Sequence, residues 1–368
     1  MKHAALTLAV LLAASPVYAQ LGSLTKRIGQ AKDAKDAYDV LNMSEADERK
    51  LGEQVSALVR KEFGVLQDAA VTKYVTLVGT VLAQASTRPN LQWEFIVLDT
   101  DGVNAFAAPG GIVHITRGAL GLIKSEAELA GVLGHELAHV TKKHTINAIK
   151  KNKSFKIGAD VAPGSNAFFD ALAGAAYENI VEKGFDRGDE EDSDQEGVRL
   201  ANKAGYAPNG LATFLGKLAE RNKNTPTRNA LFASHPETQG RIEKIGNQVK
   251  SEKLAAAAMV EPRYVSQIKF EAKPVSEVAT VVAGTRGVAG DEKEKKEEKP
   301  PEEKKKKGFG LGSLGLSSGK QAESTQASAS AGGRAVGTDR HAQGGDNPNK
   351  LNVTITPAEL AEFRKGIA

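Results

Sequence analysis

The chain has 368 residues, 40% of them hydrophobic, which allows two domains, or one domain with tails, and a sizeable core. Net charge is +4 from 49 basic and 45 acidic residues, and aromatics make up only 5%, with Trp93 the single tryptophan; both count against a nucleic-acid or carbohydrate platform. Cysteine is absent, which excludes disulfides, thiolate metal sites, a cysteine nucleophile and a lipid-anchored N-terminal cysteine.

In chain order, Lys2 and His3 precede an apolar run at 4–14 and then Ser15-Pro16-Val17-Tyr18-Ala19. A short basic start, a hydrophobic stretch too short to span a bilayer and a small-residue cleavage site read as a signal peptide over 1–19. No other stretch approaches the roughly 20 apolar residues of a membrane span. The reading is therefore an exported protein without a transmembrane span, addressed to the periplasm and not a lipoprotein. Residues 20–43 form a polar, Lys/Asp-rich, helical lead-in.

From Ser44, with Asp47 as its capping partner, Leu51, Val55, Leu58 and Val59 recur at helical spacing. A second helix spans about 68–85, with Val71, Val75, Val78 and Leu82 on one face, and Pro89-Asn90 ends it. The period then drops to two. Trp93, Phe95 and Val97 alternate with Ile96 and Leu98, so 92–98 reads as a buried strand, and Phe106 and 112–115 mark two more around Pro109-Gly110-Gly111. Ser125-Glu126-Ala127-Glu128 is a capping box that opens a long helix over about 126–150.

Residues 151–167 read as a polar loop. Helical patterns return at 167–183, 189–204 and 209–221, with Gly205 at a C-cap and Pro208 just beyond, and again at 236–250. An extension at 251–283 holds β-prone stretches (Tyr264-Val265, 268–270, 278–282) that predict a small hairpin. Residues 284–350, first Lys/Glu-rich and then Gly/Ser-rich, cannot bury enough apolar surface and read as disordered. The last segment, 351–368, carries a capping box at Thr356-Pro357-Ala358-Glu359 and an apolar face of Leu360, Phe363 and Ile367. So short a helix is marginal alone, so it is expected to dock or to fold on binding.

The chemistry sits at 135–139, His-Glu-Leu-Ala-His. On a helix, His135 and His139 at i and i+4 project from one face a turn apart, as two imidazoles on one zinc ion require. Glu136 stands beside them as general base towards a zinc-activated water. A metzincin would continue with Gly at 142 and His at 145; Lys142 and Thr145 exclude that type. His144 lies about 140° around a continuous helix from His139 and is left out of the ligand set. The third ligand is then a later glutamate, with Glu178, Glu182, Glu190, Glu191 and Glu196 as candidates. Glu190 has Asp194 one turn on, so one face could bind zinc and hold a ligand histidine; a plain acidic first turn fits the same residues equally well.

The chain resembles peptidase family 48 of the zinc metalloproteases, over about 44–250. The resemblance rests, in order, on Asn104-Ala105-Phe106-Ala107 to Pro109-Gly110-Gly111, on 125–129, on the His135 motif, on Arg187 with Glu190 and Asp194, on Ala204-Gly205-Tyr206, and on Ser234-His235-Pro236 followed by Arg241. It implies one Zn²⁺ per chain held by His135, His139 and Glu190, with Asp194 behind them, and Ser193 standing where the family usually has Ala. It also implies that Asn104, Ala105, Phe106 and Ala107 form an edge strand to which an extended substrate adds. His235 is implied as a loop residue that can approach the metal or stabilise an oxyanion, and Arg241 as an active-site cation.

The expected architecture is α+β and mainly helical: a zincin-like metalloprotease domain with a small sheet beside the histidine helix, then a disordered tail. The expected activity is zinc-dependent endopeptidase action on unfolded or misassembled envelope proteins, with the outer-membrane assembly machinery as a candidate partner. The alternative is a periplasmic chaperone or assembly factor with a gated zinc site. The helical repeat array that follows the catalytic domain in some relatives has no counterpart here.

Overall fold

The computed structural model describes residues 43–152, 161–162, 164–223, 238–281 and 338–367. The leader, the lead-in before residue 43, most of the 151–167 loop, His235, the last two residues of the 251–283 extension and residues 284–337 of the expected tail lie outside them.

Three strands, β1 (Glu94–Leu98), β2 (Ala105–Ala108) and β3 (Ile112–Thr116), form one sheet in the order β1-β3-β2. β1 runs parallel to β3, and β2 runs antiparallel to it with Ala105 opposite Ile115. The turn between β2 and β3 depends on glycine: Gly110 has φ 71°, and a Cβ there would lie 2.5 Å from the Arg49 Cα. Only a residue without a side chain tolerates both.

The sheet is buried on both faces, as its apolar alternation requires. Phe95, Val97, Val113 and Ile115 face one core with α2 (Ala69–Ala85), α4 (Glu126–Thr141), α7 (Arg187–Lys203) and α8 (Gly210–Asn222). Ile96, Leu98, Phe106 and Ile112 face the other, with α1 (Glu45–Phe63) and α6 (Asn166–Tyr177). Both early helices start where their caps place them: Ser44 and Asp47 form a reciprocal capping box, and the Asp68 carboxylate accepts from the Ala70 and Val71 amides. A short helix, α3 (Arg117–Leu122), links β3 to α4.

Three expectations need correction. The helix over 126–150 is two helices. α4 stops at Thr141, Lys143 adopts a left-handed conformation (φ 58°, ψ 35°), and α5 (His144–Lys151) sets off in a new direction. Helical spacing continues through the break, so the pattern alone does not reveal it. The Ser125 hydroxyl does accept from the Glu128 amide, but the Glu128 carboxylate reaches the Lys124 amide and pairs with Lys217 instead of closing the box.

The second correction is at 264–282. Tyr264 and Val265 lie in a helix, α10 (Glu261–Gln267), which follows α9 (Thr238–Ser251), and 275–277 is a 3₁₀ turn. Pro262 at the start of α10 favours helix, and the Tyr264 ring is buried with its hydroxyl on the Leu120 carbonyl. The β character that remains is the isolated bridge between Thr280 and Ala342.

The third concerns the end of the tail. Residues 338–350 are ordered and bound to the domain. Asp339 is buried in a two-pronged ion pair with Arg221 (2.9 and 3.2 Å). The Gly345 amide donates to the Asp99 carbonyl, the Val65 amide donates to the Asn347 carbonyl, and Lys350 joins Glu53 and Glu94. These anchors are ionic and backbone contacts to distant residues, which a composition reading cannot register. The final helix, α11 (Pro357–Lys365), has the expected capping box and docks on α2, with Phe363 edge-on to Tyr74 and under the Arg263 guanidinium.

Candidate metal centre

α4 is anchored at its start by Glu126, whose buried carboxylate accepts from the Tyr74 and Tyr206 hydroxyls and pairs with Arg263. Two and a half turns later the helix crosses α7, and the crossing is unusually close. A Cβ on Gly197 would lie 2.6 Å from the His135 amide nitrogen, and one on Gly134 would lie 2.9 Å from the Gly197 carbonyl oxygen. Glycine on both sides lets the two backbones touch, so side chains from each helix reach one point.

At that point stand His135, His139 and Glu190, all buried, with one donor atom from each within 4.8 Å of the others. The Nε2 atoms of His135 and His139 are 3.1 Å apart, and they lie 3.6 and 3.5 Å from the Glu190 carboxylate oxygens. Tetrahedral zinc with ligands near 2.0–2.1 Å has donor–donor edges of about 3.3 Å. Two imidazole nitrogens and a carboxylate at these separations therefore fit a zinc ion. The structure brings together His135 and His139, named by their spacing, and Glu190, named by the resemblance. Glu178 belongs to a π-helical turn (Glu178–Lys183) that follows α6, and it pairs with Lys183.

The supporting contacts are as tight as the ligands. His135 Nδ1 lies 3.0 Å from Asp194 Oδ1, which holds the ring with Nε2 towards the centre. Arg241, on α9, is buried and grips Asp194 through two nitrogens (2.7 and 2.6 Å) while reaching Glu190 at 3.2 Å. It thus braces two carboxylates of α7. Burial favours the protonated form of Asp194, but Arg241 and His135 outweigh it and hold the carboxyl well below the usual range. Glu190 is pushed up to about 7 by burial, against the pull of Arg241 and His135. Burial, reinforced by Glu190, drives Glu136 well above an ordinary glutamate. Burial also lowers His135 against the pull of Asp194, keeping it the neutral imidazole that a metal needs. A divalent cation among these groups would stabilise both glutamates as carboxylates.

Two residues at the centre were not anticipated. The Phe185 ring stacks on His139 with centroids 4.0 Å apart and 26° between planes. His144 lies with Nδ1 3.0 Å from His139 Nδ1. The angular argument that set His144 aside assumed an unbroken helix, and the left-handed Lys143 swings its ring back. No sequence signal marks that residue, which is neither Gly nor Asn. At the edge strand, 104–108 is buried throughout, and the π-helical turn packs against β2. His235 lies outside the described residues.

A helix bearing His-Glu-x-x-His, crossed by a second helix that supplies a glutamate ligand and an aspartate one turn on, defines a metallopeptidase fold of the zincin type. The chain carries a domain of peptidase family M48, whose sequence model matches residues 69–249. It is 25% identical over 219 residues to the β-barrel assembly-enhancing protease of Yersinia pestis, covering 56% of this chain and 44% of that protein. It is 31% identical over 160 residues to the mitochondrial metalloendopeptidase OMA1 of Arabidopsis thaliana (44% and 33%), and 22% identical over 233 residues to the metalloprotease LoiP of Escherichia coli (61% and 89%). The chain thus spans less than half the length of the first of these relatives.

Proposed function

We propose that this chain is a zinc metalloendopeptidase acting on unfolded or misassembled envelope polypeptides after export. One observation carries the catalytic reading: three donors converge at 3.1–3.6 Å, with Glu136 buried next to His135 in the chain and within the electrostatic reach of Glu190. Zinc, when bound by His135, His139 and Glu190, supplies a Lewis acid that activates water and polarises the scissile carbonyl. Glu136 takes the proton of the attacking water and delivers it to the leaving amine. Asp194 fixes His135, and Arg241 fixes Asp194 and Glu190, so the ligands are preorganised.

The envelope address is inferred from the leader-like 1–19, and the substrate class from the similarity to the β-barrel assembly-enhancing proteases. The described residues include no helix long and apolar enough to cross a membrane. Asn104, Ala105, Phe106 and Ala107 are proposed to pair with an extended substrate, and His235 to approach the centre from its loop.

A second reading, a chaperone or assembly factor with a gated site, is favoured by the packing of the π-helical turn on β2 and of Phe185 on His139. The test is casein degradation by zinc-loaded protein from Gln20 onward. Cleavage by wild type, abolished by chelator and by Glu136→Gln, is the expected result. Failure of zinc-loaded wild type to cleave supports the gated reading, and failure to bind zinc overturns both.

A further inference from the structure

We propose that His144 is a positioning residue for the ligand His139; this rests on the metallopeptidase reading above. His135 has its non-ligating nitrogen anchored by the Asp194 carboxylate. His139 needs an equivalent anchor, because an imidazole free to rotate about χ2 presents either nitrogen to a metal. The Nδ1–Nδ1 distance of 3.0 Å between His139 and His144 is a hydrogen bond between two imidazoles, so one nitrogen donates and the other accepts. His139 directs Nε2 at the metal donors and must therefore carry its proton on Nδ1. His144 accepts at Nδ1 and carries its own proton on Nε2.

The surroundings of His144 match that assignment. Its Nε2 faces the Asp192 carboxylate at 3.5 Å and the Asp189 carboxylate at 3.8 Å. Ser193 Oγ lies 3.2 Å from His144 Nδ1, so its hydroxyl shares that one lone pair with the closer His139 N–H. Asp189, Asp192 and Ser193 all belong to α7, the helix that also bears Glu190 and Asp194. One helix thus provides the third ligand, the direct anchor of His135 and, through His144, the anchor of His139. A neutral imidazole as acceptor also avoids a fourth buried carboxylate beside Glu136, Glu190 and Asp194, whose desolvation would be costly.

The backbone supports this placement. Lys143 holds its left-handed conformation while its ammonium pairs with the buried Glu48 of α1. That conformation is unfavourable for a residue with a Cβ, so surrounding structure must hold it, and it is what turns His144 towards His139.

The test compares zinc dissociation constants, by competition with a chromogenic chelator, for wild type, His144→Ala, His144→Asn and Ser193→Ala. The visible spectrum of the Co²⁺-substituted proteins and the melting temperature of the metal-free ones are read alongside. His144→Ala is expected to weaken zinc by about 10- to 100-fold, as losses of partners to metal-bound histidines do, and to shift the Co²⁺ bands. His144→Asn places an oxygen acceptor where Nδ1 stood and should restore most of the affinity, which a merely structural role would not predict. Ser193→Ala should weaken zinc by a smaller factor.

Zinc affinity within twofold of wild type and an unchanged Co²⁺ spectrum in His144→Ala would overturn the inference. So would an asparagine variant as impaired as the alanine variant. If His144→Ala does not fold, the asparagine and Ser193→Ala variants decide. Wild type that binds no zinc would instead bring down the metallopeptidase reading, and this inference with it.

Discussion

The close crossing of α4 and α7 makes Gly197→Ala a sharp test of how the centre is assembled. The new Cβ would sit 2.6 Å from the His135 nitrogen and 2.9 Å from the Gly134 carbonyl carbon, both backbone atoms that no rotamer change can move. Reaching ordinary contact at 3.4 Å requires the helices to part by about 0.8 Å. Overpacking of this kind costs about 1–3 kcal/mol. For a domain of this size each kcal/mol lowers Tm by about 2–4 °C. The metal-free protein can relax by letting α7 drift outward. Zinc cannot tolerate that drift, since ligand distances hold to about 0.2 Å. Binding must pull Glu190 back and reimpose the strain, and about 1.4 kcal/mol of it weakens zinc tenfold. Thermal unfolding with and without zinc, and a zinc titration, measure both effects. Gly216→Ala on α8 is the control: nothing lies within 4 Å of its added Cβ, and helix propensity should raise stability by about 0.5–1 kcal/mol. Wild-type zinc affinity and Tm in Gly197→Ala would refute the claim that this contact sets the ligand geometry.

The remaining expectations concern the tail, the sheet and the metal. Asp339→Ala should destabilise the protein by about 3–5 kcal/mol, because Arg221 would stay buried without its carboxylate; an unchanged Tm would show that the 338–350 segment does not anchor there in solution. His114 on β3 is fully buried beside the Ser56 hydroxyl (2.9 Å), and burial lowers it to about 3. The unfolded chain protonates this histidine below its ordinary 6.5 while the folded chain does not, so stability falls as pH drops from 6.5 towards 3. Between pH 6.5 and 4.5 the loss is about 2 kcal/mol, and denaturant melts of wild type and His114→Gln should converge in acid if the reasoning holds. Zinc at a hundred times its Kd should stabilise the folded chain by about 2.7 kcal/mol, a gain that chelator removes and Glu190→Gln largely lacks; equal stabilisation of that variant would remove Glu190 from the ligand set.

Much of the fold was legible because it is locally encoded. The caps at Ser44, Asp68 and Thr356 satisfy helix ends within three residues of themselves, and the alternation from Phe95 to Leu98 needs only a sheet covered on both sides. The elements read less well are those whose conformation is decided by distant partners. Tyr264 suits a strand by propensity, yet its ring is buried in the helical core and its hydroxyl reaches Leu120. Residues 338–350 lack apolar content but hold to Arg221, Glu53 and Glu94, more than a hundred positions away.

The centre divides the same way. Helical geometry alone places His135 and His139 on one face with Glu136 beside them, because a one-turn spacing is a property of the chain itself. Spacing on α7 relates Glu190 to Asp194, but choosing it over a plain acidic turn took the family pattern, and joining it to the histidines took the glycine-lined crossing of two helices. Arg241 arrives from a third helix, and His144 from a backbone reversal that no residue type announces. Residue type and period alone set the chemistry available and most of the helices and strands that carry it. Which carboxylate meets the histidines, and what holds each imidazole ring in register, follows from packing, because a metal site is fixed by distances between separate elements.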